Sequence, residues 1–280
     1  MNIQTAINSG EKILKKKSIS TANLDSEILL ASTIKKDRKY ILLNPLQEIS
    51  RIDYNFYKIL IKKRSYRKPI AQLTNKKFFW NSEFYVNNET LIPRPETELI
   101  IENILKLTKH RNNLNILDIG IGSGCILLSI LKEKKNFYGT GIDISNECLH
   151  ISRINALNLN LLPRLKLVKS NIDNFSNGKY DLVISNPPYI KNYRINYLDD
   201  DVKLYEPKVA LDGGIDGYSN LKKVIKKSSK LLKTKGKLIL EIDDKQKNIT
   251  NKILKQNGFY TNKIVKDLAK KYRCIVSTKI

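Results

Sequence analysis

The sequence predicts an α/β fold, a doubly wound and mainly parallel sheet preceded by a small bundle of helices. Three observations predict it. Beyond residue 114 short apolar runs alternate with helical segments, a glycine loop joins the first of those runs to a helix, and residues 1–74 carry only helical spacing.

The helical part comes first. From Asn2 to about Thr74 apolar residues recur at helical intervals: Ile3, Ala6 and Ile7, then Ile13 and Leu14, then Leu24, Ile28 and Leu29, then Ile52, Phe56, Ile59 and Leu60. Ser20 or Thr21 can cap the second helix, with Asp25 and Glu27 in its first turns, where acidic side chains suit the helix dipole. Asn44-Pro45 breaks the third. The stretch holds no catalytic constellation.

Residues 76–92, KKFFWNSEFYVNNETLI, turn to aromatic and β-branched residues around Asn81-Ser82 and Asn87-Asn88, a hairpin signal. A hairpin linker over 75–93 therefore joins a helical domain, 1–74, to a larger domain, 94–280. That domain opens on PRPETELIIENIL, where two prolines precede an acidic first turn and an apolar stripe. Then LNILDIG, FYGTGIDI, RLKLVKS, YDLVISN and KGKLILEI read as strands, with helices over 145–158 and 217–233. The last two runs, GFYTNKIVKDL and YRCIVSTKI, have no helix between them, so one closing strand runs antiparallel.

Composition limits the function. No apolar run approaches the roughly 18 residues of a membrane span, and the start lacks the layout of a signal peptide, so a cytoplasmic protein that does not use a membrane is expected. Cys125, Cys148 and Cys274 stand apart without CxxC spacing, and His110 and His150 have no ligand-like neighbours; no metal site or disulfide framework is expected. The net charge of +24 would suit a polyanion, but 41 of the 51 basic residues are lysines spread along the chain, so nucleic acid is not required as a partner.

LDIGIGSGCILLSI puts Asp118, Gly120, Ile121, Gly122, Ser123 and Gly124 between a strand and a helix, where glycines let backbone approach a ligand. The spacing is GxGxG, and the dinucleotide fingerprint that seats a pyrophosphate is GxGxxG, so a nucleoside-type ligand without phosphate fits better. Asp143 closes the second strand, 19 residues after Gly124, where a carboxylate can accept both ribose hydroxyls or merely cap the next helix. Asp118 can orient the glycines by accepting their N–H groups. Asn171 and Ile172, after the third strand, can meet an adenine ring or be ordinary loop and core residues.

Asn186, Pro187, Pro188 and Tyr189 follow the fourth strand, beyond the carboxyl ends of the strands near the switch point, where open α/β sheets bind ligands. Two prolines fix the chain there. A planar NH2 group is a poor nucleophile and must be aimed. The Asn186 side-chain oxygen and the Pro187 carbonyl can each accept one of its N–H groups in line with a sulfonium methyl, while Tyr189 stacks on the acceptor. A plain rigid turn is the bland alternative.

These residues resemble the class I S-adenosylmethionine methyltransferases. LIPRPETE at 91–98, NPPYI at 186–190, EP and AL within 206–211, KDL and YR near the end, DSEILLA at 25–31 and RKPIAQL at 67–73 narrow the resemblance to the release-factor glutamine methyltransferases, the HemK/PrmC family. The resemblance implies methyl transfer from S-adenosyl-L-methionine to the glutamine amide of the Gly-Gly-Gln motif in peptide chain release factors; a monomer is expected. It implies that Gly120 to Gly124, Asp143 and Asn186 hold the cofactor. Asn186, Pro187, Pro188 and Tyr189 would hold the glutamine, with Asn186, Pro187 and Tyr189 catalytic. Arg94, Glu96 and Glu98 lie near the site, where an Arg–Glu pair can be only a clamp.

Asn75, Asn171, Ile172 and Asp243 depart from the family pattern. An adenine-N6 DNA or RNA methyltransferase is the alternative, because an exocyclic adenine amine is also planar. A basic RNA-binding module or an NAD-linked oxidoreductase fits less of the chain.

Overall fold

The computed structural model describes residues 1–280 as two compact units, one built from residues 1–76 and 199–205, the other from 77–198 and 206–280.

The first unit packs α1 (Ile3–Lys16), α2 (Ala22–Thr33), α3 (Arg38–Leu43), α4 (Arg51–Ser65) and α5 (Ile70–Thr74). Asn2, Asp37 and Ser50 cap α1, α3 and α4 by accepting a backbone N–H with their side-chain oxygens. Ile3, Leu14, Leu29, Leu30, Ile41, Tyr57 and Ile61 form the core. The buried face of α4 differs from the expected stripe: Tyr57, Leu60 and Ile61 are inside, while Ile52, Phe56 and Ile59 are exposed.

Thr21 precedes α2 as expected but caps no backbone N–H; its hydroxyl donates to Asp25. Asp25 and Glu27 are not solvated dipole partners either. Both are buried and paired: Arg64 reaches Asp25 at 2.7 Å and Asp201 at 2.5 Å, and Arg38 reaches Glu27 at 2.6 Å. Gln72 and Tyr66 hold Tyr205, the last residue of the returning stretch, by hydrogen bonds of 2.8 and 2.6 Å. Asn75 ends α5 in the left-handed region, φ 56°, which asparagine tolerates better than most residues; this accounts for it where the family often has glycine.

The second unit begins with the expected hairpin, β1 (Lys76–Phe79) and β2 (Ser82–Tyr85), turning at Trp80-Asn81. After it come α6 (Glu98–Leu107), β3 (Asn115–Ile119), α7 (Cys125–Glu133), β4 (Tyr138–Asp143), α8 (Asn146–Asn158), β5 (Leu165–Lys169) and β6 (Tyr180–Ser185). The short turn α9 (Asp200–Lys203) belongs to the first unit; the second resumes with α10 (Lys208–Leu211), α11 (Ser219–Leu231), β7 (Leu232–Glu241), α12 (Lys247–Gln256), β8 (Phe259–Lys266) and β9 (Tyr272–Lys279).

The sheet order is β5-β4-β3-β6-β7-β9-β8, with β9 antiparallel to both neighbours and the inner strands parallel. It is the expected doubly wound sheet of a class I methyltransferase with one reversed strand. Alternate residues serve opposite faces: Ile116, Leu182 and Ile184 pack with α6 and α7, while Leu117, Val183, Leu238 and Leu240 pack with α11 and α12. Residues Cys125 to Leu131 of α7 are all buried, each large aliphatic among them contributing about 1.5–3 kcal/mol.

β3 lies between β4 and β6, with Asp118 paired to Ile184, so the loops leaving β3 and β6 start side by side. The chain winds one way through β3, β4 and β5 and the other way from β6 onward. This reversal opens the crevice in which the site lies.

Candidate active site

The loop after β3 is fixed from beneath and open above. Gly120 and Ile121 donate their N–H groups to the Ile142 carbonyl at 2.9 and 3.0 Å. Ser152 donates to the Gly122 carbonyl at 2.7 Å, and Asn155 to the Ser123 carbonyl at 2.8 Å, so α8 holds two of the loop's carbonyls. Gly120 and Gly122 have φ of 77° and 55°, and a Cβ on either would meet no protein atom within 4 Å. The cradle is backbone with space over it.

A cavity of about 260 Å³ lies above this cradle. Gly120, Ile121, Gly122 and Ser123 line one side, and Asp143, Asn171 and Ile172 the next. Asn186, Pro187 and Pro188 line another. Ten of the residues expected from the sequence thus come together here. Asp118, Gly124 and Tyr189 do not line it.

Asp143 accepts the Gly122 N–H and the Ser145 N–H, each at 3.0 Å. Burial pushes its carboxyl pKa up, and those two N–H groups pull against the rise. The helix-capping role belongs to Ser145, whose hydroxyl accepts the Cys148 N–H. A carboxylate has about four acceptor sites, so Asp143 keeps capacity for a ligand.

Asp118 does not orient the glycines: both of its oxygens are buried with no hydrogen-bond partner. The glycine N–H groups it was expected to hold go elsewhere: Gly120 donates to the Ile142 carbonyl, Gly122 to Asp143 and Gly124 to the Ile121 carbonyl. Burial, then the charge of Asp143, pushes its pKa up to about 8. Gly124 has a packing role, since a Cβ there would press on Leu128 and Ser152.

The Asn-Pro-Pro corner is held stiffly. Ile190 donates to the Leu211 carbonyl at 3.1 Å, and Gly213 donates back to Ile190 at 2.8 Å. Gly213 lies so close beneath that a Cβ would sit 2.8 Å from the Tyr189 Cα. The Asn186 amide nitrogen points to the Thr97 hydroxyl at 3.4 Å. No hydrogen bond within the chain occupies the Asn186 side-chain oxygen or the Pro187 carbonyl. Tyr189, expected to stack on the acceptor, has a half-buried side chain whose phenol pKa is raised by burial and then by Glu241.

Sequence reasoning missed several residues here. Thr97 and Leu91 of the LIPRPETE loop line the cavity, as do Ile144, Pro207 and Val224; Arg94, expected near the site, lines it too. The clamp in that loop is not within it: Arg94 pairs with Glu206 at 2.6 Å, and Glu206 also accepts the Ile92 N–H at 3.1 Å. Glu98 accepts the Trp80 N–H at 2.7 Å. The EP dipeptide at 206–207 was the available signal for this pairing.

Over residues 95–198 the chain matches the family described as methyltransferase small domain, and over residues 5–74 that described as PrmC N-terminal domain. It is 35% identical to a release factor glutamine methyltransferase of Clostridium acetobutylicum, over 100% of this chain and 99% of that protein. A second protein of that name, from Caulobacter vibrioides, is 33% identical over 95% of this chain and 92% of its own length. A bifunctional methyltransferase of Rickettsia bellii is 32% identical over 98% of this chain, which spans 54% of it. Among solved structures, a methyltransferase of Pyrococcus furiosus has the same fold, with a TM-score of 0.54 at 22% identity over 78% of this chain and 96% of that one.

Proposed function

The chain belongs to the release factor glutamine methyltransferases, and from that premise we propose that it methylates the side-chain amide of the Gly-Gly-Gln glutamine in peptide chain release factors, using S-adenosylmethionine. The cavity fits that donor. Its glycine cradle admits a ligand against backbone, Asp143 offers acceptors for ribose hydroxyls, and Ile144, Ile172 and Val224 supply apolar walls for a purine. When bound, the donor contributes a methyl group made electrophilic by its sulfonium.

The protein's own part is positioning. The Asn186 side-chain oxygen and the Pro187 carbonyl each accept one N–H of the glutamine amide, which turns the nitrogen lone pair toward the donor. The same two oxygens ease the positive charge that grows on nitrogen. Pro187 and Pro188 keep that corner from yielding. No base is needed beforehand, because the proton leaves easily once nitrogen is cationic. Nor is a thiolate on hand: burial pushes the lining thiols of Cys125 and Cys148 up to about 12.

One observation carries the reading: two unclaimed oxygens, on Asn186 and Pro187, share a cavity with an open glycine cradle and Asp143. Tritiated S-adenosylmethionine with a release factor should label the tryptic peptide containing Gly-Gly-Gln and add one methyl mass to it. Label in DNA or RNA and none in the release factor would mean an adenine amine is the acceptor.

In the same reading residues 1–74 receive the release factor, 75–93 link, and 94–280 catalyse. The enzyme works as a monomer in the cytoplasm and needs no nucleic acid. No helix is long and apolar enough to cross a membrane. Nuclease treatment that abolished activity, or a sedimentation mass twice that of the chain, would overturn those last points.

A further inference from the structure

We propose that Thr97 and Glu241 are positioning residues that hold the Asn186 amide with its oxygen toward the cavity. The inference rests on the assignment of Asn186 as the group that aims the acceptor. Thr97 ends a single helical turn, Pro95–Thr97, and Glu241 ends β7. Both are buried, 2% and 1% exposed.

The Thr97 hydroxyl donates to the Glu241 carboxylate at 2.6 Å, and the Asn186 amide nitrogen approaches the same hydroxyl oxygen at 3.4 Å. A hydroxyl has one hydrogen. With that hydrogen committed to a carboxylate, Thr97 can only accept from Asn186, so Asn186 must present its NH2 group there. Its oxygen is then turned away from Thr97. The mutually dependent directions of three polar groups decide which end of the amide meets a substrate N–H.

The device depends on an ionised Glu241. A protonated carboxyl can donate to Thr97, which frees the Thr97 hydrogen for Asn186 and favours the reversed amide. NH2 would then face the substrate NH2, and the aiming contact would be lost. Burial raises the Glu241 carboxyl to about 7, with the Thr97 hydroxyl acting against it. The charged and titratable groups that face it are Glu96, which raises it further, and Arg273, which lowers it. Tyr189, Cys125 and Cys274 complete the set; their own raised pKa values, each caused mainly by burial, carry a contribution from Glu241. The Asn186 amide lowers it, as a donor facing the carboxylate does.

The test compares the full-length enzyme with Thr97→Val, Thr97→Ser and Glu241→Gln, using release factor as acceptor. Wild-type label on the Gly-Gly-Gln peptide establishes the activity on its own, so a failure of that reading appears there and not in the variants. The expected result is a kcat lower by roughly 10- to 100-fold in Thr97→Val and Glu241→Gln, the size of loss typical of a supporting partner. S-adenosylhomocysteine affinity stays unchanged, and Thr97→Ser recovers most of the rate. Wild-type kcat should fall below about pH 7, and Glu241→Gln should lack that limb. In cofactor-free protein the Asn186 side-chain amide signals should shift with pH through the same range, and not in Glu241→Gln. Full kcat in Thr97→Val, a wild-type kcat that is flat across the range, or an Asn186 signal indifferent to pH would each overturn the proposal.

Discussion

Gly122 donates its backbone N–H to the Asp143 carboxylate over 3.0 Å, so one side chain ties the loop after β3 to the loop after β4. The other oxygen is occupied by the Ser145 N–H, also at 3.0 Å. The Asp143→Asn variant has an NH2 where one of those acceptors stood and must oppose an N–H. Calorimetry with S-adenosylhomocysteine should show affinity lower by about 10- to 100-fold, equivalent to about 1.5–3 kcal/mol. An unchanged affinity would restrict Asp143 to loop structure.

Asn186→Ala removes the aiming oxygen and leaves a half-buried site. Its thermal unfolding should match wild type, while kcat drops by about 10²–10³, as for loss of one preorganised polar contact. A variant at full rate would rule out the amide as the aiming group.

Asp118 gives a pH dependence with a definite sign. Its pKa is about 8 in the folded protein against an ordinary 3.8, so the folded chain holds the proton more tightly. Its contribution to stability is therefore full at acid pH and lost as pH rises toward the folded value. Denaturant unfolding between about pH 5 and 8 should show Asp118→Asn gaining on wild type as pH increases. Parallel curves would mean that the carboxyl ionises freely in the folded state.

Arg64 is the cation for Asp25 and Asp201 inside the helical unit. Removing it as Arg64→Met strands the buried Asp25 and should cost about 3–5 kcal/mol by urea unfolding. Combining it with Asp25→Asn should recover much of the loss, because the stranded charge is then gone.

Ile52 and Phe56 are exposed on α4, and the helical residues are read as the part that receives the release factor. Phe56→Ser should raise KM for the whole release factor several-fold and leave KM for a short Gly-Gly-Gln peptide unchanged. An equal change for both acceptors would remove α4 from recognition.

What the sequence made legible follows from range. β3, β4 and β6 were readable because parallel strands buried on both faces are continuous apolar runs. The glycine loop, Asp143 and Asn186 were readable because each ends such a run. The α12 helix was not, since KNITNKILKQ offers few apolar residues to set a period. Asp25 and Glu27 looked like first-turn acids because their partners, Arg64 and Arg38, lie 39 and 11 residues away. Thr97 and Glu241 stand 144 residues apart, beyond any local pattern, although Thr97 was within a motif already singled out.

The helical unit takes residues 199–205 as well as 1–76. A ribosome making this protein releases the first stretch long before the second, so Arg64 must wait for one of its two carboxylates, and Tyr66 and Gln72 for Tyr205. Residues 1–76 are therefore among the later ones to reach their final form. An amino-terminal piece produced alone would be looser than the same residues in the finished chain.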